Sequence, residues 1–138
     1  MSIEDDIVGL LEDDETLADY LTGGIFVAEE ISRQRTPGAF DTNGEILPCA
    51  LVKSGTEVVL ENVIAATQTP VLIYLYEREG YANISPALAL IYGLLELKHL
   101  NGIWQIRFNT EIARTTDESL RCSLGVQRWN AIRKKNYS

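Results

Sequence analysis

A single histidine limits the acid–base chemistry open to this chain. His99 is the only imidazole among 138 residues, so any catalytic arrangement that needs a histidine base must use it. It follows an apolar pattern with helical spacing, at a position where histidines commonly interact with the helix dipole and the last carbonyl groups. We interpret His99 as a helix-terminal residue. A small enzyme that pairs His99 with a carboxylate or a tyrosine is the alternative.

The carboxylates and thiols do not form a recognisable metal or cofactor site. The run "EDDE", residues 12–15, lacks the glycine and the terminal glutamate of a calcium loop, so we predict a solvated helix junction. Cys49 and Cys122 are too few for a zinc site or a disulfide scaffold, and their apolar surroundings predict buried free thiols. The chain has neither G-x-G-x-x-G nor a P-loop motif. We expect no catalytic residue, no cofactor and no metal.

The stretch "IYLYEREGYANI", residues 73–84, contains three tyrosines, Tyr74, Tyr76 and Tyr81. Aromatic rings can stack on nucleic-acid bases, but such sites come with a positive groove, and here Glu77 and Glu79 adjoin the rings. We therefore predict that the tyrosines are structural anchors at a corner between a strand and a helix, which a neighbouring subunit can share.

Charged residues are unevenly distributed along the chain. The net charge of −8 argues against general nucleic-acid binding, because phosphate contacts need a basic surface. Residues 1–30 contain acidic side chains and no lysine or arginine, whereas the C-terminal segment is rich in both. Two interpretations stay open. Either the charged side chains only keep two faces of the protein hydrated, or an acidic patch on one copy meets a basic patch on the next and closes a ring.

The first third of the chain predicts helix, strand and loop. Ser2 can cap a first helix, and Asp13 or Asp14 can cap a short second segment that ends at the glycines of "TGG". "IFVAE", residues 25–29, has the composition of a strand. Residues 31–45 are rich in Gly, Pro, Asn and Asp and predict a long loop, of a length that usually serves function.

The middle of the chain predicts strands. "ILPCALVKS" and "EVVLENVIAAT", on either side of "SGT", predict a hairpin or two consecutive strands. "TPVLIYLYE", residues 69–77, is apolar or aromatic on both faces, so we expect it at the centre of the sheet. Alternation assigns its side chains to two faces, with Val71, Ile73 and Leu75 on one and Leu72, Tyr74 and Tyr76 on the other.

A second helix and two strands complete the pattern. Ser85 and Pro86 predict the start of the helix, and Asn101–Gly102 its end. "IWQIRFN" predicts a strand with Trp104, Ile106 and Phe108 inward, followed by a polar turn at "RTTDES". In the last strand we expect the apolar residues inward and the polar ones exposed to solvent: Leu120, Cys122, Leu124 and Val126 against Arg121, Ser123 and Gln127.

Together these elements predict a single α+β domain over residues 1–138. An antiparallel-type sheet packs against two main helices in the order α-β-β-β-α-β-β, and a basic tail follows at residues 133–138. The start "MSIEDDIVGLL" carries acids where an export signal needs basic residues. The longest apolar run, residues 84–97, is too short for a membrane span, so we expect no membrane association.

Two runs resemble the tail-completion proteins of long-tailed bacteriophages, also called tail terminators or head–tail joining proteins. They are "TPVLIYLYEREGYANISPALALIYGLLEL" and "GIWQIRFNTEIARTTDESLRCSLGVQRWNAIRK". An acidic N-terminal helix that leads through "YLTGGIF" into the first strand, the corner "REGYANI" and a polar turn with Asp117 also carry the resemblance. It spans about Ile7 to Arg133 and rests on the pattern and order of elements, with no catalytic motif.

The resemblance implies a non-enzymatic structural virion protein that needs no cofactor. Its copies would form a ring, commonly a hexamer, that terminates the tail tube and joins it to the head connector. Expected partners are other copies of the chain, a tail tube protein and head connector or adaptor proteins, and DNA would pass through the ring without sequence-specific binding. The protein would assemble in the host cytoplasm and reside in the virion tail or neck. Another neck component, such as a head-completion or adaptor protein, and a small monomeric binding domain are the alternatives.

Candidate contacts between subunits come from the charge asymmetry, the tyrosine-rich corner and the loop. The resemblance makes the loop at residues 31–45 an arm that reaches a neighbouring protein. The candidate interface residues are Glu29, Glu30, Arg33, Arg35, Arg107, Arg114, Arg121, Tyr76 and Tyr81.

Overall fold

The computed structural model describes residues 3–59, 66–96, 98 and 105–134. Within these ranges the helices are α1 (Ile3–Glu12), α2 (Glu15–Tyr20) and α3 (Ile84–Leu95), with a 3₁₀ turn at Pro37–Ala39. The strands are β1 (Ile25–Val27), β2 (Cys49–Ser54), β3 (Val58–Val59), β4 (Ala66–Glu77), β5 (Gln105–Asp117) and β6 (Cys122–Lys134). The chain is a single α+β domain, as the sequence predicts.

The described strands form one mixed sheet. Its order is β1-β2-β4-β6-β5, and β3 pairs with β4 beyond the end of β2. The described pairs are antiparallel except β1–β2, which is parallel. The prediction of an antiparallel-type sheet is therefore corrected. The reason is the long connection between β1 and β2, which brings the chain back beside β1 in the same direction.

β2 and β3 lie end to end along β4. Ser54 pairs with Val71, and after a short break Val58 pairs with Gln68. Gly55 occupies the break, where its N–H donates to the Pro70 carbonyl at 2.8 Å and a Cβ would lie 2.8 Å from the Pro70 ring. Two consecutive strands are thus confirmed, and a hairpin between them is wrong. Residues 60–65 of the predicted second strand lie outside the described residues.

β4 lies at the centre of the sheet, between β2 and β6, as predicted. The three helices cover one face, which we call the helix face. The fully buried residues between the helices and the sheet include Ile7, Leu11, Leu17, Val71, Ile73, Leu75, Ile91 and Trp129. Removal of their side chains from water is the main contribution to the stability of the fold, at about 1.5–3 kcal/mol for each large aliphatic group.

The kinked N-terminal helix is confirmed as α1 and α2. The Asp14 carboxylate caps α2 by accepting the Leu17 N–H at 2.8 Å. The chain then turns through Gly24, whose φ of +96° is a conformation that glycine adopts without a Cβ clash. Acidic residues of the "EDDE" junction are exposed or half-buried, as predicted. Ser2 lies outside the described residues.

Residues 31–45 form a packed layer on the opposite side of the sheet, which we call the second face. Ile31 and Ala39 are buried there with Leu51 and Tyr76. The Asp41 carboxylate accepts the N–H groups of residues 43 and 45, which closes a turn within the loop. In the protomer the loop is therefore folded onto its own sheet, and β1 ends at Val27, two residues earlier than expected.

The start and end of α3 differ from the prediction. The buried Glu77 carboxylate at the end of β4 accepts the backbone N–H groups of Asn83, at 3.0 Å, and Ile84, at 3.3 Å. Ser85 is therefore not the cap, and Pro86 is the third residue of the helix, still within the first turn, where proline is tolerated. α3 ends at Leu95, and His99 and the predicted stop at Asn101–Gly102 lie outside the described residues.

The last two strands are longer than predicted. β5 continues to Asp117, so the polar turn covers residues 118–121. Arg133 and Lys134 belong to β6, and Arg133 forms an ion pair with Glu57. The predicted basic tail at 133–138 is corrected accordingly, and residues 135–138 lie outside the described part. Ile106 and Phe108 face inward as expected, whereas Trp104 lies outside the described residues.

The predicted solvent exposure of Ser123 and Gln127 is wrong. Both are buried on the helix face of β6, alongside Trp129. Cys122 and Val126 are buried on the second face, and Leu120 and Leu124 are half-buried, in agreement with the prediction. Both faces of this strand are covered near Ser123, so alternation of polarity does not match alternation of exposure. No described helix is long and apolar enough to cross a membrane.

Candidate functional site

The candidate residues beside and within the loop at 31–45 interact with one another. The Arg35 guanidinium lies 3.5 Å from the carboxylates of both Glu29 and Glu30, and all three side chains are largely exposed. Arg33 donates from Nε to the Gly44 carbonyl at 2.9 Å and lies 5.1 Å from the centre of the Phe40 ring. These contacts hold the loop closed. Exposed ion pairs of this kind contribute little to stability, so their charges stay accessible to a partner.

A second group of candidates lies on β5, an edge strand of the sheet. Arg107 and Arg114 are exposed there. Arg114 lies over the Tyr81 ring, 5.2 Å from its centre, and the Tyr81 hydroxyl donates to the Thr115 carbonyl. Tyr81 thus anchors the corner before α3 to β5, which supports its interpretation as a structural residue.

Two further candidates lie near the end of the sheet. Arg121 is exposed and has a φ of +53°, in the left-handed region that few residues with a side chain adopt. It borders a cleft of about 340 Å³ that also contains Arg33 and Arg78, where Arg78 forms an ion pair with Glu45. Tyr76 is buried below the loop, with only 6% of its surface exposed. Its side chain therefore contributes to the protomer core.

The two cysteines are free and buried on either side of Tyr76. Burial raises the pKa of Cys49 to about 12, and burial together with the nearby Asp117 carboxylate raises the pKa of Cys122 to about 11. Burial likewise raises the pKa of the Tyr76 hydroxyl. Thiols held in the protonated form are poor nucleophiles and poor metal ligands. This environment favours a packing role for both cysteines.

A groove between α3 and β5 has a volume of about 470 Å³ and is lined by Leu88, Tyr92, Phe108 and Glu111 among others. Beneath it, the fully buried Gln127 amide donates to the Leu88 carbonyl and to Glu111 Oε1, both at 2.8 Å. Its carbonyl oxygen accepts the Trp129 indole N–H at 3.1 Å. The amide therefore links α3, β5 and β6 at one point.

Sequence reasoning missed one basic surface on the second face, beyond the part that the loop covers. Two rows of directly paired residues cross β2, β4, β6 and β5 there. Burial alternates along these strands, which shows that the rows face outward: positions 69, 71, 129 and 131 are buried, whereas positions 70, 72, 128 and 130 are not. We call this surface the open face, and it consists of Lys53, Leu72 and Arg128 in one row and Pro70, Asn130 and Arg107 in the next.

The three cations of the open face have no acidic partner among the described residues. Within the described residues, Lys53, Arg107 and Arg128 form no ion pair, in contrast to Arg35, Arg78 and Arg133. The adjoining row, with Gln68, Ile132 and Gln105, adds no carboxylate. The alternation of side chains along residues 68–72 could have assigned Pro70 and Leu72 to one face of the sheet. Whether that face is buried or exposed at these positions depends on the area that the loop covers, which the sequence does not show.

No group of three or more His, Cys, Asp or Glu side chains in the described part of the chain is placed to hold a metal ion. What the described residues offer to a partner is charged and half-buried apolar surface.

Comparison with known proteins gives a structural match. No family model and no curated protein sequence matches the chain. Among solved structures, the fold is similar to that of a chain in the "virion of native gene transfer agent (GTA) particle". The match has a TM-score of 0.67 and 15% sequence identity, and it covers 96% of this chain and 95% of that chain. The two chains therefore share one fold over nearly their whole lengths.

Proposed function

We propose that this chain is a structural, non-enzymatic protein of a phage-like virion. The observation that carries the proposal is the common fold with a component of a gene transfer agent particle, over 96% of the chain. The order of elements that resembles tail-completion proteins supports the same conclusion. On this proposal the partners are other virion proteins, and the protein resides in the assembled particle.

Within the particle, we propose a homo-oligomeric ring at the neck that terminates the tail tube and joins it to the head connector. A hexamer is the expected state, as the resemblance implies. The uneven distribution of charge along the chain supports head-to-tail repetition, because residues 1–30 contain acids and no lysine or arginine, whereas the C-terminal segment is rich in both. A net charge of −8 suits a channel through which DNA slides without adhering.

The oligomeric state of the purified protein tests the ring. Analytical ultracentrifugation at moderate salt should give a closed oligomer of one size, and negative-stain images should show rings. A strictly monomeric species at high micromolar concentration would contradict the ring and favour a monomeric binding domain.

Tube assembly separates a tail terminator from another neck component. Added to a polymerising tail tube protein of the same particle, a terminator should bind tube ends and stop their growth. A head-completion or adaptor protein should leave the tubes unchanged and bind the head connector instead.

The enzyme alternative is tested by His99→Ala, which should leave particle assembly and infectivity or gene transfer unchanged.

A further inference from the structure

We propose that the open face is the docking surface for a second copy of this chain, and that it receives the acidic outer surface of α1 and α2. The inference rests on the proposed ring and specifies which two surfaces meet in it. In this contact a sheet face of one copy meets the helix layer of the next.

The open face has the composition of a protein contact. Its cations lie on three of the four strands that form the face. Since neighbouring strands are about 4.8 Å apart, Lys53 on β2 and Arg128 on β6 lie about 10 Å apart, on either side of Leu72. Leu72 and Pro70 are half-buried, so apolar surface lies between the charges. Charged side chains around an apolar centre are typical of surfaces that bind other proteins.

The acidic complement lies on the opposite side of the same protomer. α1 and α2 pack on the helix face, so their outer surface points away from the open face. Glu15 and Asp19 on α2 are one helical turn apart and both exposed, and Glu12 and Asp13 precede them, also exposed. Because residues 1–30 contain no lysine or arginine, this surface has no neighbouring cation from its own segment.

Opposite charges on opposite sides of one protomer favour repetition in one direction. Each copy presents a basic face to its neighbour on one side and an acidic surface to its neighbour on the other, so the contact is heterologous, as a ring requires. Nucleic acid is the other polyanion that could bind three cations. The observations favour a protein partner, because the remainder of the chain repels phosphate through its net charge of −8.

A charge-swap experiment tests the contact on the full chain. The first variant, Lys53→Glu with Arg128→Glu, makes the open face acidic. The second, Glu15→Lys with Asp19→Lys, makes the α2 surface basic. All four positions are half-buried or exposed, so circular dichroism and thermal melting should show that the fold is kept. Arg128→Glu is also measured alone, and Lys98→Glu, a reversal at an exposed residue outside both surfaces, is its matched control.

We expect each double variant alone to lose self-association, with an increase in the dissociation constant of about tenfold or more, because like charges then face each other. Mixed in equal amounts, the two should assemble again, since the reversed face of one fits the reversed helix of the other. Native mass spectrometry would then detect complexes that contain both variants.

Three results would overturn the proposal, and they are distinguishable. If the wild type assembles and both double variants assemble equally well, the ring stands and its contact lies elsewhere. If the wild type stays monomeric, the ring itself fails together with this contact. The third result has two parts. The mixture does not reassemble, and the wild type binds double-stranded DNA at moderate salt whereas the Lys53→Glu/Arg128→Glu variant does not. The open face is then a nucleic-acid surface.

Discussion

Gln127 shows how a single polar side chain can hold the centre of this fold. Its amide is completely buried and satisfies a helix carbonyl, a carboxylate and an indole N–H. Periodicity could not predict this role, because a glutamine between Val126 and Arg128 resembles a solvent-facing residue in a half-exposed strand. Its partners, Leu88 and Glu111, lie far away in sequence. By contrast, the burial of Cys49 and Cys122 followed from their apolar neighbours and is confirmed.

Gln127→Leu should lower the free energy of unfolding by about 2 kcal/mol, since it leaves the buried Trp129 N–H without an acceptor. Chemical denaturation measures the change. Glu111→Ala is the matched control, because Glu111 is exposed and its loss leaves the other two hydrogen bonds of Gln127 intact. The control should lose less than about 1 kcal/mol. Equal losses in both variants would contradict the central role of the amide.

The cysteine thiols should be unreactive in the native protein at pH 8, because burial raises both pKa values above the ordinary 9.0. A pKa that is higher in the folded than in the unfolded state stabilises the protein fully below about pH 9, and this contribution is lost as the pH rises toward 11 to 12. Thiol titration with and without denaturant, and unfolding at pH 8 and pH 10, measure both effects. Between pH 8 and pH 10, Cys49→Ala should lose less stability than the wild type. Rapid labelling of the thiols in the native protein would contradict their expected lack of reactivity.

At the scale of elements, two neighbouring strands of the sheet, β4 and β6, position α3. Glu77 of β4 caps its first turn, and that turn approaches β6 so closely that a Cβ on Gly125 would lie 2.7 Å from Ile84 Cγ2 and 3.2 Å from Leu88 Cδ1. The sequence predicted the helix but not its start, because the capping carboxylate is seven residues upstream of Ile84. Local signals such as Ser85 cannot reveal a cap that comes from a strand.

Gly125→Ala should therefore destabilise the protein by about 1–3 kcal/mol, as overpacking between a strand and a helix commonly does. Gly93→Ala gives the same chemical change within α3, where nothing lies within 4 Å of the added methyl group. This control should stabilise the protein by about 0.5–1 kcal/mol, because glycine is a poor helix former. Thermal or chemical denaturation of both variants tests the pair. A neutral Gly125→Ala would show that the gap between α3 and β6 is wider than the structure indicates.

At the scale of the molecule, charge and topology together decide which surfaces are available for assembly. The acidic N-terminal segment and the basic C-terminal strands were evident in the sequence. Their distribution over faces and edges was not, because it depends on the parallel β1–β2 pair and on the loop that covers part of the second face. Lys53 and Arg128 were consequently missed, whereas Arg107 was found.

Charge reversal at Arg107 or at Arg121 should weaken assembly and leave the fold intact, because both side chains are exposed. Since the attraction is between surface charges, higher salt should weaken assembly of the wild type as well. Sedimentation at low and high salt measures both effects, with Lys98→Glu as the control of equal charge. Unchanged assembly in both arginine variants would show that charge asymmetry plays no part in it.

The position of β6 within the sheet has a consequence for biosynthesis. It is the last described strand in the chain, yet it lies between β4 and β5 and pairs with both along their lengths. A ribosome adds about 5–20 residues per second, so β4 emerges seconds before its partner has been synthesised. During that interval one edge of the central strand is unpaired and open to intermolecular pairing. Native folding must therefore follow synthesis of β6, and a chain stalled before Cys122 is a natural substrate for chaperones and proteases.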